Sequence, residues 1–186
     1  LNILVLGGAG YIGSHMVKFL GQQHCNVTTL DDLSSGHRDA VLHGTFIQGN
    51  FGDRELLDRV LSQGFDAVMH FASHIQVGES VQHPDKYYLN NLTHTLGLMD
   101  AMRSHRVNAL IFSSTAATFG EPQYVPIDEA HPQAPINPYG RTKWMVEQAL
   151  ADYDRAYGFK HICLRYFNAA GADPEGQLGE RHEPET

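Results

Sequence analysis

Apolar and β-branched residues gather in short runs: NILVLG (2–7), NVTTLD (26–31), TFIQG (45–49), DAVMHFA (66–72), NALIFSST (108–115) and HICLRYF (161–167). Most are separated by stretches of helix length, at 11–22, 53–62, 85–104 and 138–157, whereas LSSGHRD after the second run is at most a short turn. Near-continuous apolar strands joined by helices predict a parallel sheet buried on both faces, because only there must both sides of each strand avoid water. The expected fold is α/β, a Rossmann-like doubly wound parallel sheet with helices on both faces. A Pro-rich segment over 120–137 and a Gly, Pro and Glu-rich tail from about 171 read as loops, and no internal repeat or linker divides the chain.

Composition agrees with one soluble domain. The 186 residues are 42% hydrophobic and 18% charged, enough for a sizeable core. A formal charge of −8 without a basic cluster argues against nucleic acid as a partner. No run approaches the roughly 18 apolar residues of a membrane span, and no secretory pattern is present, so a cytoplasmic setting is expected. Cys25 and Cys163 have neither ligand nor redox spacing and read as small core residues without a disulfide. Of the scattered histidines, His70 and His74 alone approach metal-ligand spacing and lack a third ligand, so no metal is expected. The chain opens at Leu1 inside a strand and stops in GERHEPET with no closing element, which reads as a fragment.

The chemistry begins at LVLGGAGYIGSHMV. Gly7, Gly10 and Gly13 fall at the end of the first strand and into the next helix. There one glycine takes a tight turn, one lets backbone approach a pyrophosphate, one lets helix and sheet pack closely, and the helix N-terminus offers free N–H groups. Asp31 ends the second strand about 20 residues on, where a carboxylate accepts hydrogen bonds from ribose hydroxyls and repels a 2′-phosphate. The next basic residue is Arg38, so the pattern favours NAD over NADP. Asp32 is read as turn chemistry.

A second signal is NPYGRTK. Asn137 is suited to cap a helix that Pro138 begins, placing Tyr139 and Lys143 one turn apart on the same side. Alone, such a pair is an ordinary solvated helix surface. Here FSSTAATFG ends the fifth strand, and strand C-terminal ends line the cofactor crevice of an open parallel sheet, so Thr115 is expected to face Tyr139.

With GGAGYIGSH, HFASHIQVGESV, YYLNNL, FSSTAATFG, NPYGRTKWMVEQ and LRYFNAAGADPEG, essentially the whole chain resembles the extended short-chain dehydrogenase/reductase family, and within it the nucleotide-sugar 4-epimerases. The resemblance implies Tyr139 as catalytic base, Lys143 as its activator and ribose ligand, and Thr115 at the Ser/Thr position. It implies a cofactor site of Gly7, Gly10, Tyr11, Ile12, Gly13, Asp31, Asn50, Phe51, Phe71, Ala72 and Asn90 together with Tyr139 and Lys143. Thr115, Tyr166, Phe167 and Asn168 would meet a UDP-sugar. Asn50 stands where the family often has Asp, its amide oxygen able to accept from the adenine amino group. Ile75 stands where many members carry a lysine, Phe119 replaces a common Tyr, and Ser73 a Gly or Ala.

The implied reaction is epimerisation of a UDP-hexose through a transient 4-keto sugar. Free tyrosine, with a pKa of about 10, is too weak an acid to serve as base near neutrality. A lysine charge about 4 Å away at an effective dielectric near 20 is worth on the order of 4 kcal/mol, roughly three pKa units downward. A 4,6-dehydratase would need an acid pair after Thr115, where Ala116 and Ala117 stand. N-acetylhexosamine or pentose substrates and a non-catalytic NAD-binding module stay open. By the same resemblance, residues 1–170 form the NAD-binding domain and 171–186 only the start of a substrate region, so the fragment is expected to be inactive alone. A homodimer is expected through helices 85–104 and 138–157, with Leu92, Leu96, Met99 and Trp144 as a possible face.

Overall fold

The computed structural model describes residues 1–181. Its strands are β1 (Asn2–Leu6), β2 (Asn26–Asp31), β3 (Thr45–Gln48), β4 (Ala67–His70), β5 (Ala109–Ser113) and β6 (Lys160–Leu164). They form one parallel sheet in the order β3-β2-β1-β4-β5-β6, the Rossmann arrangement, in which strand order reverses between β1 and β4. Along β1 the side chains alternate. Leu4 and Leu6 enter a core with α2 (Arg54–Leu61), α5 (His94–Ser104) and α6 (Pro138–Tyr157), whereas Ile3 and Val5 pack with Val17, Met16 and Leu20 of α1 (Tyr11–Gln22). Helices therefore lie on both faces, three on one and one on the other. On the α1 face Ile111 is partly covered and its register partner Ile162 is 58% exposed.

Helix ends follow local chemistry. Asp53 accepts from Leu56 N–H at 3.1 Å to cap α2. Asn137 accepts from Gly140 N–H at 2.8 Å to cap α6, Pro138 occupies its first turn, and Gly158 closes it in the left-handed conformation at φ 67°. One expected helix differs. Segment 85–104 is divided into α4 (Pro84–Tyr87), a π-helical turn over Tyr88–Thr93 and α5, and it is preceded by α3 (Val77–Gln82), which the sequence pattern did not indicate. The wider turn is held by Asn91, 2% exposed, whose amide oxygen accepts from His74 N–H and whose amide nitrogen donates to His74 C=O, both at 2.9 Å. These bonds fix the segment after β4 in a way helical periodicity does not encode.

The expected dimer face needs correction at Met99, which is fully buried in the chain's own core; Leu92 and Leu96 also pack partly against it. The tail beyond 170 lies on α1: Lys18 pairs with Asp173 at 2.7 Å and Glu175 at 2.6 Å, and Tyr11 OH donates to Gly171 C=O at 2.5 Å. The remainder of the 171–186 stretch, residues 182–186, lies outside the described residues. Cys25 and Cys163 are free thiols. Among the described residues no helix is long and apolar enough to cross a membrane, and no group of three or more His, Cys, Asp or Glu side chains could hold a metal.

Candidate functional site

The C-terminal ends of β1 to β4 open onto a cleft lined by Gly7, Gly10, Asp31, Asn50, Phe51, Phe71, Ala72 and Asn90, among others. Its floor is the glycine turn. Gly7 adopts φ +76°, and a Cβ there would lie 2.4 Å from Ala72 N. A Cβ on Gly13 would lie 2.1 Å from Gly7 O, so only glycine lets α1 start this close to β1. On Gly10 a Cβ would meet nothing nearer than Gly7 O at 3.5 Å; packing leaves room there, as an approaching ligand requires. No side chain caps the start of α1, so its first-turn N–H groups remain available. Tyr11, edge-on to His15 at 5.2 Å, and Ile12 begin the helix.

Asp31 sits at the wall, 9% exposed, accepting from Ala9 N–H through Oδ2 and Leu33 N–H through Oδ1, each at 2.9 Å. Burial nevertheless raises its pKa above the ordinary carboxylate range, outweighing those bonds, while neighbouring Asp32 adds to the rise. Each oxygen keeps a lone pair for a hydroxyl donor. The glycine cradle, the uncapped helix start and this carboxylate fit a dinucleotide with a free ribose diol. Asn50 lines the cleft rim and closes a local turn there: its oxygen accepts from Gly52 N–H at 2.7 Å, keeping a second lone pair, and its nitrogen donates to Asp32 at 2.8 Å. Asp32, which also accepts from Ser34 N–H at 2.9 Å, is turn chemistry as expected. Phe51 contributes to the core and stands edge-on to His70, centroids 4.9 Å apart. Ile75, 42% exposed, brings no cation to this region.

Thr115, Tyr139 and Lys143 come together beside the cleft. The Thr115 side chain favours the Tyr139 phenolate, and its Oγ1 accepts from Ala117 N–H at 3.1 Å. Lys143, 3% exposed, donates from Nζ to Ser113 C=O at 2.8 Å and stands 6.0 Å from the Tyr139 ring centroid and 4.8 Å from that of Phe112. The electrostatic expectation is corrected here. Burial pushes the Tyr139 pKa up despite Thr115, and burial lowers that of Lys143 to about 7, opposed by Glu147. Desolvation disfavours both charges, and the ammonium is directed at a carbonyl rather than at the phenol, so the expected lowering of the Tyr139 pKa is not found.

Tyr166 meets Ser113 Oγ through its hydroxyl and gives its carbonyl to Ala116 N–H at 3.0 Å, which places it against the same strand end. Phe167, 71% exposed, and Asn168 lie on the surface.

Sequence reasoning passed over two buried polar groups. His131 is 2% exposed, accepting from Gln123 N–H at Nε2 (3.0 Å) with Nδ1 2.9 Å from Pro132 C=O, and it pins loop 120–137 against Phe119. Glu147 gathers Ser114, Gln133 and Arg165. Its place one turn beyond Lys143 was the available signal.

A family model described as the NAD dependent epimerase/dehydratase family matches residues 3–184. A relative named UDP-glucose 4-epimerase, from Rhizobium leguminosarum bv. trifolii, is 52% identical over 186 residues, covering 100% of this chain and 57% of its own length. The crystal structure of UDP-glucose 4-epimerase from Brucella ovis in complex with NAD superposes with a TM-score of 0.97 at 50% identity, over 100% of this chain and 57% of that one. UDP-glucose 4-epimerase from Bifidobacterium longum, in complex with NAD+ and UDP, superposes at 0.94 with 36% identity, over 98% and 58%. The chain thus spans a little over half the length of these relatives, and its matching sequence, strand order and glycine cradle establish that it belongs to the NAD dependent epimerase/dehydratase family.

Proposed function

We propose that this chain carries the cofactor-binding and proton-transfer part of an NAD-dependent nucleotide-sugar 4-epimerase that interconverts UDP-galactose and UDP-glucose. The observation that carries the reading is Tyr139 with Thr115 acting on its hydroxyl, one turn from buried Lys143, beside a cleft walled by Asp31. Asp31 would hold the ribose diol, and Gly7, Gly10, Gly13 and the start of α1 the pyrophosphate. Bound there, NAD supplies a reversible hydride acceptor for C4 of the sugar.

The protein's own part is proton handling. Inverting C4 cannot start by deprotonating an unactivated C–H, so the carbinol must become a ketone. Tyr139, as phenolate, removes the proton from the 4-hydroxyl, while Thr115 holds the oxygen in line by sharing that hydrogen bond. The ketone turns over, is reduced on its other face, and its oxygen takes the proton back from Tyr139, so base and cofactor end as they began. Lys143 favours the phenolate whenever its ammonium is protonated, and Tyr166 borders the sugar side. Pairing of two copies through the outer faces of 85–104 and α6 belongs to the same reading. It is supported by Leu89, 54% exposed, and by half-buried Trp144. A reducing, cytoplasmic setting is supported by the free thiols.

The test is calorimetric titration of NAD into the chain, together with a coupled assay of UDP-galactose conversion on the chain and on a version extended to the length of its relatives. The reading expects NAD binding by both and turnover by the extended form, since remote nucleotide contacts orient C4. Failure of the chain to bind NAD would overturn it.

A further inference from the structure

Tyr139 and Lys143 are the first two members of a longer row. Glu147 follows one turn further along the same side of α6, 5% exposed, and all three meet the ends of β5 and β6. Tyr139 reaches Thr115, Lys143 reaches Ser113 C=O, and Glu147 reaches Ser114. The Glu147 carboxylate is fully engaged. Oε1 accepts from Ser114 Oγ and from Arg165 Nε at 3.0 Å; Oε2 accepts from Gln133 Nε2 at 2.9 Å and Arg165 Nη2 at 2.7 Å. Each partner adjoins part of the candidate site. Ser114 precedes Thr115, Arg165 precedes Tyr166 and stacks over Phe119 with 5.4 Å to the centroid, and Gln133 lies in loop 120–137.

We infer that Glu147 is a positioning residue for the Tyr139–Lys143 pair, fixing the β5 and β6 ends against α6 and supplying the anionic counter-charge to Lys143. The inference rests on the reading of that pair as the proton-transfer groups. An ion pair buried this deeply is weak evidence of stabilisation, because desolvation offsets most of its attraction, and an apolar pair of similar volume would hold the elements at least as well. A charge placed next to the one buried ammonium of the site does something apolar packing cannot.

The groups facing the row fix what Lys143 feels. From β4, His70 is buried, and burial together with Lys143 lowers its pKa to about 3, so it stays neutral. From β5 come the Ser113 carbonyl and the Phe112 ring. From β6, Arg165 and Cys163 face Glu147, the thiol pushed up to about 12 mainly by burial; Tyr166 faces Tyr139. Glu147 is the acidic group that favours the Lys143 ammonium against desolvation.

The lysines of the chain are Lys18, Lys86, Lys143 and Lys160, so 13Cε-lysine NMR can follow Lys143 by itself, assigned by its loss in Lys143→Met. The measurement is its titration midpoint in the wild-type chain, Glu147→Gln and Glu147→Asp. Glu147→Gln should lower the Lys143 protonation constant about tenfold, a drop of about one pH unit, while Glu147→Asp restores most of it. Equal midpoints in the wild type and Glu147→Gln would overturn the inference, whatever the outcome of NAD titration. If Glu147→Gln does not fold, the double variant Glu147→Gln/Arg165→Met removes the Arg165 charge left without its partner, and its Lys143 midpoint is compared with that of Arg165→Met, below which it should lie by about the same one pH unit. Failure of both to fold would equally refute it, since the role would then be structural alone.

Discussion

Replacing Asp31 by Asn alters a buried carboxylate whose two oxygens each take a backbone N–H at 2.9 Å. Asn can accept only one of these, and its amide nitrogen then faces the other donor, a loss of about 1.5–3 kcal/mol for a charge-assisted bond. Against this stands the raised pKa of Asp31: burial makes its ionised form costly to the fold, and neutralisation returns that cost. The two nearly cancel, so the variant should unfold within about 1–2 kcal/mol of the wild type at neutral pH. Affinity should change far more. Losing a carboxylate bond to a ribose hydroxyl is worth the same 1.5–3 kcal/mol with nothing to offset it, about ten- to a hundredfold in NAD affinity, while NADP binding improves because the repulsion is gone. Because the folded pKa lies above the unfolded one, the stability due to protonated Asp31 is fully present below the unfolded pKa, near 3.8, and lost as pH rises through the folded value. Urea melts across that range should therefore show the variant gaining on the wild type as pH rises. Calorimetry with both dinucleotides decides the rest. Wild-type NADP binding equal to that of NAD, or unchanged affinities in Asp31→Asn, would refute the reasoning.

Gly13→Ala forces a Cβ to 2.1 Å from Gly7 O, so α1 must move from β1, at about 1–3 kcal/mol by thermal melting, with weakened NAD binding. Tyr139→Phe should keep NAD affinity within a few-fold, yet cut epimerisation in the extended protein on the order of a hundredfold or more; near-normal turnover would remove Tyr139 from the mechanism. Lys143→Met should be more stable than the wild type below pH 7, with the advantage shrinking between about 7 and 10.5. Burial depresses the lysine's folded pKa, so the wild type gains stability as pH rises through that window; denaturant midpoints at several pH values measure it.

What the sequence conveyed was local. Helix α6 begins and ends where Asn137, Pro138 and Gly158 place it, and the glycine turn is recognisable because a positive φ and a contact too close for a Cβ admit only one residue type. Asp31, Thr115, Tyr139 and Lys143 were legible for the same reason: each sits at a strand or helix end whose position neighbouring residues define. The turn at Tyr88–Thr93 was not, since its width depends on Asn91 reaching His74 across the fold. Nor was Glu147, whose partners lie on separate elements before and after it in the chain. The protonation balance of Tyr139 and Lys143 turned on burial. Spacing along a helix sets which charges are neighbours, but only packing removes the water around them, and here that loss outweighs the attraction one helical turn provides.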